Sequence, residues 1–193
     1  YEYAITAAMN GDPIDTDWTG TLATGSVVLT EVNEAVAAEG TQEAIDAVVS
    51  LLEHCGREVC RMNKPAPGFI ANRLQHALYR EAVYMVEQGI CGPEDIDKCI
   101  RSSWGPRYTS IGLFDHFDYA GLDLIANIET YLYPDLCDTK TVHPSLQERL
   151  DRGDLGYKTG VGYYDWRGRD MDAFRKKTSE PYLRFFNWKL PEV

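Results

Sequence analysis

No lysine or arginine occurs ahead of Arg57 in this 193-residue chain, although ten Asp and Glu residues precede it, and the net charge is -11. Neutralising phosphate with Lys and Arg is the main source of affinity for nucleic acid and for anionic membranes, so neither partner is expected. The acidic residues read as a solvated face. No run of about eighteen apolar residues is present, and no basic segment leads into an apolar one at the start, so no membrane span and no secretory signal are expected. A cytoplasmic setting follows as the expectation. The five cysteines, Cys55, Cys60, Cys91, Cys99 and Cys137, are odd in number and form no C-x-x-C pair, which fits reduced thiols. The histidines His54, His76, His116 and His143 are scattered, and no metal-ligand spacing stands out.

What the chain does have is an ordinary apolar fraction of 44% and one stretch that argues chemistry, from Asn63 to Gly89. Lys64-Pro65-Ala66-Pro67 is an extended approach, since each proline fixes its own φ and pushes the preceding residue out of the helical region. A helix starts only after Pro67. Phe69, Ile70, Leu74, Ala77, Leu78, Ala82, Met85 and Val86 then recur at three- and four-residue spacing, and Gly89 supplies the stop. The spacing predicts about twenty helical residues. Asn72 falls one turn in, beside the apolar face, where its amide needs partners.

Residues 1–25 show no sustained period and read as turn and loop. Residues 26–39 read either as a short strand passing into a helix or as one helix. Thr41 caps a helix carrying Ala44, Ile45, Val48, Val49, Leu51 and Leu52 on its inner side, ended by Gly56. Val59, Cys60 and Met62 form a short extended piece. Gly92-Pro93-Glu94-Asp95 starts a helix that runs to about Ser103, with Ile96 and Ile100 inward, and Trp104-Gly105-Pro106 breaks it. Two short helices are hinged at Ala120-Gly121, the second ending at Pro134. Pro144 to Arg152 is another helix, closed by Gly153. GYKTGVGYYDW reads as a loop pinned by aromatic packing. From Arg167 the charge turns basic, and the aromatic end at Tyr182, Phe185, Phe186 and Trp188 needs a surface to cover. The fold class expected is mainly α, with short strands at most near residues 26–33 and 57–62.

The segment PAPGFIANRLQHALYREAVYMVEQGICGPEDID resembles the start of the C-terminal domain of the 3-hydroxyacyl-CoA dehydrogenases, including 3-hydroxybutyryl-CoA dehydrogenases. The likeness resumes at GLFDHFDYAGLDL and at HPSLQERLDRGDLGYKTGVGYYDW, in the family's order, and covers roughly residues 27–166. It implies a helical bundle like those of the 3-hydroxyacyl-CoA and 6-phosphogluconate dehydrogenases. It implies hydride transfer between the 3-hydroxyl of a short-chain acyl-CoA and NAD, with NAD held on a Rossmann domain. It further implies a homodimer joined through the helical domain. On this reading residues 1–25 are a lead segment or a Rossmann remnant, 26–166 the substrate and dimerisation domain, and 167–193 an extension.

Carried over residue by residue, the family's functional Asn matches Asn72. Glu34 falls where the family has the Glu of its His-Glu pair, in which a carboxylate orients and tunes a general base. The family's His lies about twelve residues earlier, where this chain has Leu22, and no histidine precedes His54. Glu34 is otherwise one of several surface acids. There is no G-x-G-x-x-G between a strand and a helix. Gly156, Gly160 and Gly162 read as loop packing, and Lys158 either faces a CoA phosphate or is solvated. His76 sits one turn beyond Asn72 on the same face, and His116 reads as core edge. The chain by itself is therefore expected to be inactive. The competing reading is a free-standing helical interaction module in which Asn72 is structural.

Overall fold

The computed structural model describes residues 30–33, 42–55, 58–64 and 66–186. Strand β1, Thr30–Asn33, pairs in parallel with β2, Val59–Met62, in the register Thr30 to Val59 through Asn33 to Met62. Helix α1, Gln42–His54, makes the crossover between them. Ile45 and Val49, one turn apart on α1, are buried together with Met62 of β2. The inward face is narrower than the sequence suggested: Val48 and Leu51 are exposed. Arg61 and Asp46 tie strand to helix at 2.9 Å. Glu34, Leu22 and the whole of residues 1–25 lie outside the described residues, as do Thr41 and Gly56.

The rest is helical. Helix α2, Ala71–Glu87, is 17 residues long and starts three residues later than the proline rule alone implied. The delay has a backbone cause. Gly68 (φ 79) and Phe69 (φ 51) both take left-handed conformations, so the chain turns once more before the helix can propagate. At its other end Ile90 N–H reaches Met85 O at 2.9 Å and Gly89 N–H reaches Val86 O at 3.1 Å, the paired bonds of a left-handed glycine stop.

Helix α3, Pro93–Ser102, begins with proline and carries Glu94 and Asp95 in its first turn. A 3-10 turn over Gly105–Thr109 follows. Helices α4, Leu113–Ala120, and α5, Leu122–Leu132, meet at Gly121 and pack on each other. Helix α6, Pro144–Arg152, ends at left-handed Gly153. In the loop that follows, Gly156 N–H donates to Val161 O at 2.7 Å, and a β-carbon on Gly162 would come within 2.8 Å of Gly156 Cα. Gly162 thus serves a close backbone approach, whereas a β-carbon on Gly160 would come within 2.9 Å of Arg167 Cγ.

The extension is largely helical among the described residues. Residues Met171–Phe186 form helix α7, whose start is capped by Asp170 Oδ1 accepting from Asp172 and Ala173 N–H at 3.0 and 2.9 Å. Trp166 packs edge-on against Phe174 of α7 at 5.2 Å, and the Arg169 guanidinium covers the Trp166 ring at 4.6 Å. The side chains of Tyr182, Phe185, Phe186 and Trp188 lie outside the described residues.

Candidate functional site

Asn72 stands on the first turn of α2, on an exposed surface, behind the left-handed pair Gly68 and Phe69. Among the described residues Phe69 is the one non-glycine with positive φ. Bulky residues are held in that region only where the surroundings over-determine them, and such strain gathers at functional sites. Arg73 helps hold the turn by donating to Pro67 O at 3.3 Å. The first turn of α2 contains no acidic residue. The helix dipole therefore presents positive potential at this end, beside Asn72.

The histidines divide. His76 is exposed and meets Tyr79 edge-on at 6.5 Å, a surface position. His116 is half-buried, and Arg107 donates to its Nε2 at 2.7 Å, so that nitrogen is the acceptor and the ring proton sits on Nδ1. Its neighbours Tyr108 and Phe117 make it the core-edge residue expected.

His143, immediately before the helix-opening Pro144, is different. It is 7% exposed, and its Nδ1 lies 2.9 Å from Glu87 Oε2 in the last turn of α2. Glu87 Oε1 accepts from Ser145 N–H at 2.8 Å, at the start of α6. Burial pushes the Glu87 carboxyl up, but the bonds from Ser145 and His143 outweigh it and hold the group below its ordinary value. Glu81 and Arg80 hold the same connecting loop farther back, through Cys137 N–H at 2.7 Å and Thr139 O at 3.4 Å. Above this clasp the Arg149 guanidinium covers the Tyr163 ring at 4.1 Å. Burial and the adjacent Tyr163 hydroxyl raise the Tyr79 phenol well above its usual range. Tyr164, burial-shifted and donating to Asp97 at 2.8 Å, is pushed up to about 12. Together these contacts fix α6 and the glycine loop against α2 and α3.

Lys158 is exposed in that loop. All five cysteines are free thiols. Among the described residues no cluster of His, Cys, Asp and Glu is arranged to hold a metal ion, and no helix is long and apolar enough to cross a membrane.

Residues 68–166, opening on the strained turn and closing on the glycine loop, match the pattern of the 3-hydroxyacyl-CoA dehydrogenase C-terminal domain. The chain belongs to this family. Its fold agrees: a mainly α-helical domain, with a single parallel pair of short strands among the described residues. The 3-hydroxyacyl-CoA dehydrogenase relatives are diverse. A 5-formyl-3-hydroxy-2-methylpyridine 4-carboxylate 5-dehydrogenase of Mesorhizobium japonicum is 35% identical over 145 residues, covering 74% of this chain and 46% of the relative. A probable 3-hydroxybutyryl-CoA dehydrogenase of Bacillus subtilis is 32% identical over 130 residues, covering 67% and 44%. An L-carnitine dehydrogenase of Burkholderia mallei is 35% identical over 130 residues, covering 64% and 40%. The chain thus spans less than half the length of these relatives. Among solved structures, a 5-formyl-3-hydroxy-2-methylpyridine 4-carboxylic acid 5-dehydrogenase, described as an NAD+ dependent dismutase, superposes with a TM-score of 0.77 at 27% identity. That superposition covers 84% of this chain and 53% of the other.

Proposed function

We propose that this chain is the helical substrate and dimerisation portion of an NAD-dependent 3-hydroxyacyl-CoA dehydrogenase working in the cytoplasm. The reaction is hydride transfer between the 3-hydroxyl carbon of a short-chain acyl-CoA and NAD, the cofactor being carried on a Rossmann domain. The observation that carries this reading is the position of Asn72, at an electropositive helix start set by the strained Gly68-Phe69 turn, inside the segment that matches the family.

In this scheme the Asn72 amide donates to the substrate oxygen on which negative charge develops. Such a donor stabilises the transition state more than the ground state. Glu34 is the candidate partner of a general-base histidine, by its place in the family pattern alone. Residues 26–166 make the working domain. Residues 167–193 are an extension whose helix α7 is pinned to the glycine loop through Trp166 and Phe174. The domain acts as a homodimer. Among the described residues four apolar side chains are buried and 21 large apolar side chains are exposed, surface that a second copy would cover in part.

The test of the reaction is NADH formation from NAD and 3-hydroxybutyryl-CoA by an enzyme that carries this domain beside a nucleotide-binding domain. Substrate-dependent reduction supports the assignment. Reduction with L-carnitine or with a pyridine carboxylate, and none with the acyl-CoA, rejects it. Sedimentation equilibrium tests the dimer: a species of 21.8 kDa at every concentration across a hundredfold range would reject it.

A further inference from the structure

The glycine loop and helix α7 meet in a cluster of aromatic rings and cations that the site at Asn72 does not use. Trp166 is its centre: Phe174 of α7 meets the indole edge-on at 5.2 Å, Tyr157 does so at 6.1 Å, and the Arg169 guanidinium covers it at 4.6 Å. Tyr157 is 54% exposed. Lys158 follows it in the loop, and Lys177 stands one turn beyond Phe174 on the same side of α7, both exposed. The acids of this segment are engaged elsewhere. Asp165 pairs with Arg167 and Asp172 with Arg175, each at 2.7 Å, and Asp170 caps the start of α7. Among the described residues Lys158, Arg169 and Lys177 make no ion pair. In a chain of net charge -11, uncompensated cations beside an exposed ring are a local exception.

We propose that this cluster binds the nucleotide end of an acyl-CoA, with the purine on Tyr157 and the pyrophosphate and 3′-phosphate on Lys158, Arg169 and Lys177. The proposal rests on the acyl-CoA reading above and gives the far end of that substrate its place. Aromatic faces take bases by stacking, while arginine meets phosphate through a planar fork and lysine as a point charge. Arg169 is held against Trp166 by its cation–π contact, which leaves the N–H edge of the guanidinium for phosphate oxygens. The loop is also anchored to the helix that carries Asn72. The Tyr163 hydroxyl adjoins Tyr79, seven residues and so about 10 Å along α2 from Asn72. A long pantetheine arm joins the two ends of an acyl-CoA, so the reacting end can lie at Asn72 while the nucleotide lies at the loop. The 3′-phosphate sets this ligand apart from NAD, whose adenosine lacks it.

Isothermal titration calorimetry of the 193-residue chain with CoA and with dephospho-CoA tests the site without requiring turnover. CoA is expected to bind at least about tenfold more tightly, since only its 3′-phosphate adds a charge-assisted contact. Lys158→Ala combined with Lys177→Ala should abolish that difference, and Lys158→Arg combined with Lys177→Arg should keep it. Tyr157→Ala should weaken both ligands by roughly tenfold through lost stacking, and Tyr157→Phe should leave them unchanged. Absence of CoA binding overturns the site, as do equal affinities for the two ligands or a preference that survives the double alanine substitution. CoA held by these residues in a protein whose complete enzyme reduces no NAD with an acyl-CoA would keep the site and reject the dehydrogenase reading.

Discussion

His143 Nδ1 and Glu87 Oε2 lie 2.9 Å apart, and this pair joins the end of α2 to the start of α6. A carboxylate only accepts, so the imidazole proton is on Nδ1 and points at Glu87. The second Glu87 oxygen takes a backbone N–H of the α6 first turn, where a negative charge also meets the positive end of the helix dipole. One carboxylate therefore serves three favourable interactions.

The pH dependence of stability follows from its sign. The folded carboxyl sits below its unfolded value, so its stabilisation is complete above the ordinary carboxylate range. It is lost as pH falls through the folded value. Urea midpoints should drop on acidification from neutrality, and Glu87→Gln should lower the neutral midpoint by the equivalent of roughly 1–3 kcal/mol. The difference between the two proteins should shrink in acid. A constant difference at every pH would mean that the charge of Glu87 contributes nothing.

Gly121 is the joint between α4 and α5, with φ 98 and ψ 117. A β-carbon there would also come within 3.0 Å of Asp123 Oδ1. Gly121→Ala is expected to cost about 1–3 kcal/mol, measured by denaturant unfolding, because an L side chain rarely adopts that backbone conformation. An unchanged midpoint would show that the joint tolerates a different angle.

Much of this architecture is legible in the residues. Pro93 and Pro144 open their helices, Gly89 and Gly153 close theirs, and Gly121 divides two, because backbone stereochemistry acts locally and reads directly from residue type. The delayed start of α2 was not legible: nothing in the type of Phe69 announces a left-handed conformation. Nor was the His143–Glu87 clasp, since a contact across 56 positions depends on how α2 and α6 come together. A histidine immediately before a helix-opening proline and a glutamate in a last helical turn were the only hints. Helix α7 did leave a signal in Asp170, a good N-cap. The apolar spacing in α1 and α2 fixes helix and phase but not burial, and Val48, Leu51, Leu74 and Leu78 point to solvent in one copy. For the site, the place of Asn72 at a helix start was readable, and the strain in front of it was not.

The 193-residue polypeptide is expected not to bind NADH at micromolar concentrations, because its sequence has no glycine-rich strand-to-helix turn to aim backbone amides at a pyrophosphate. Fluorescence titration checks this. Saturable binding would reveal a nucleotide site built from other residues.

The most direct test of the functional account is the kinetics of Asn72→Ala in an enzyme carrying this domain together with its nucleotide-binding partner domain. Loss of one donor aimed at a developing oxyanion costs roughly 3 kcal/mol, so kcat should fall by about two orders of magnitude while KM for the acyl-CoA changes by only a few-fold. A variant with unchanged kcat and KM would contradict the account and leave Asn72 a structural residue of the helix start.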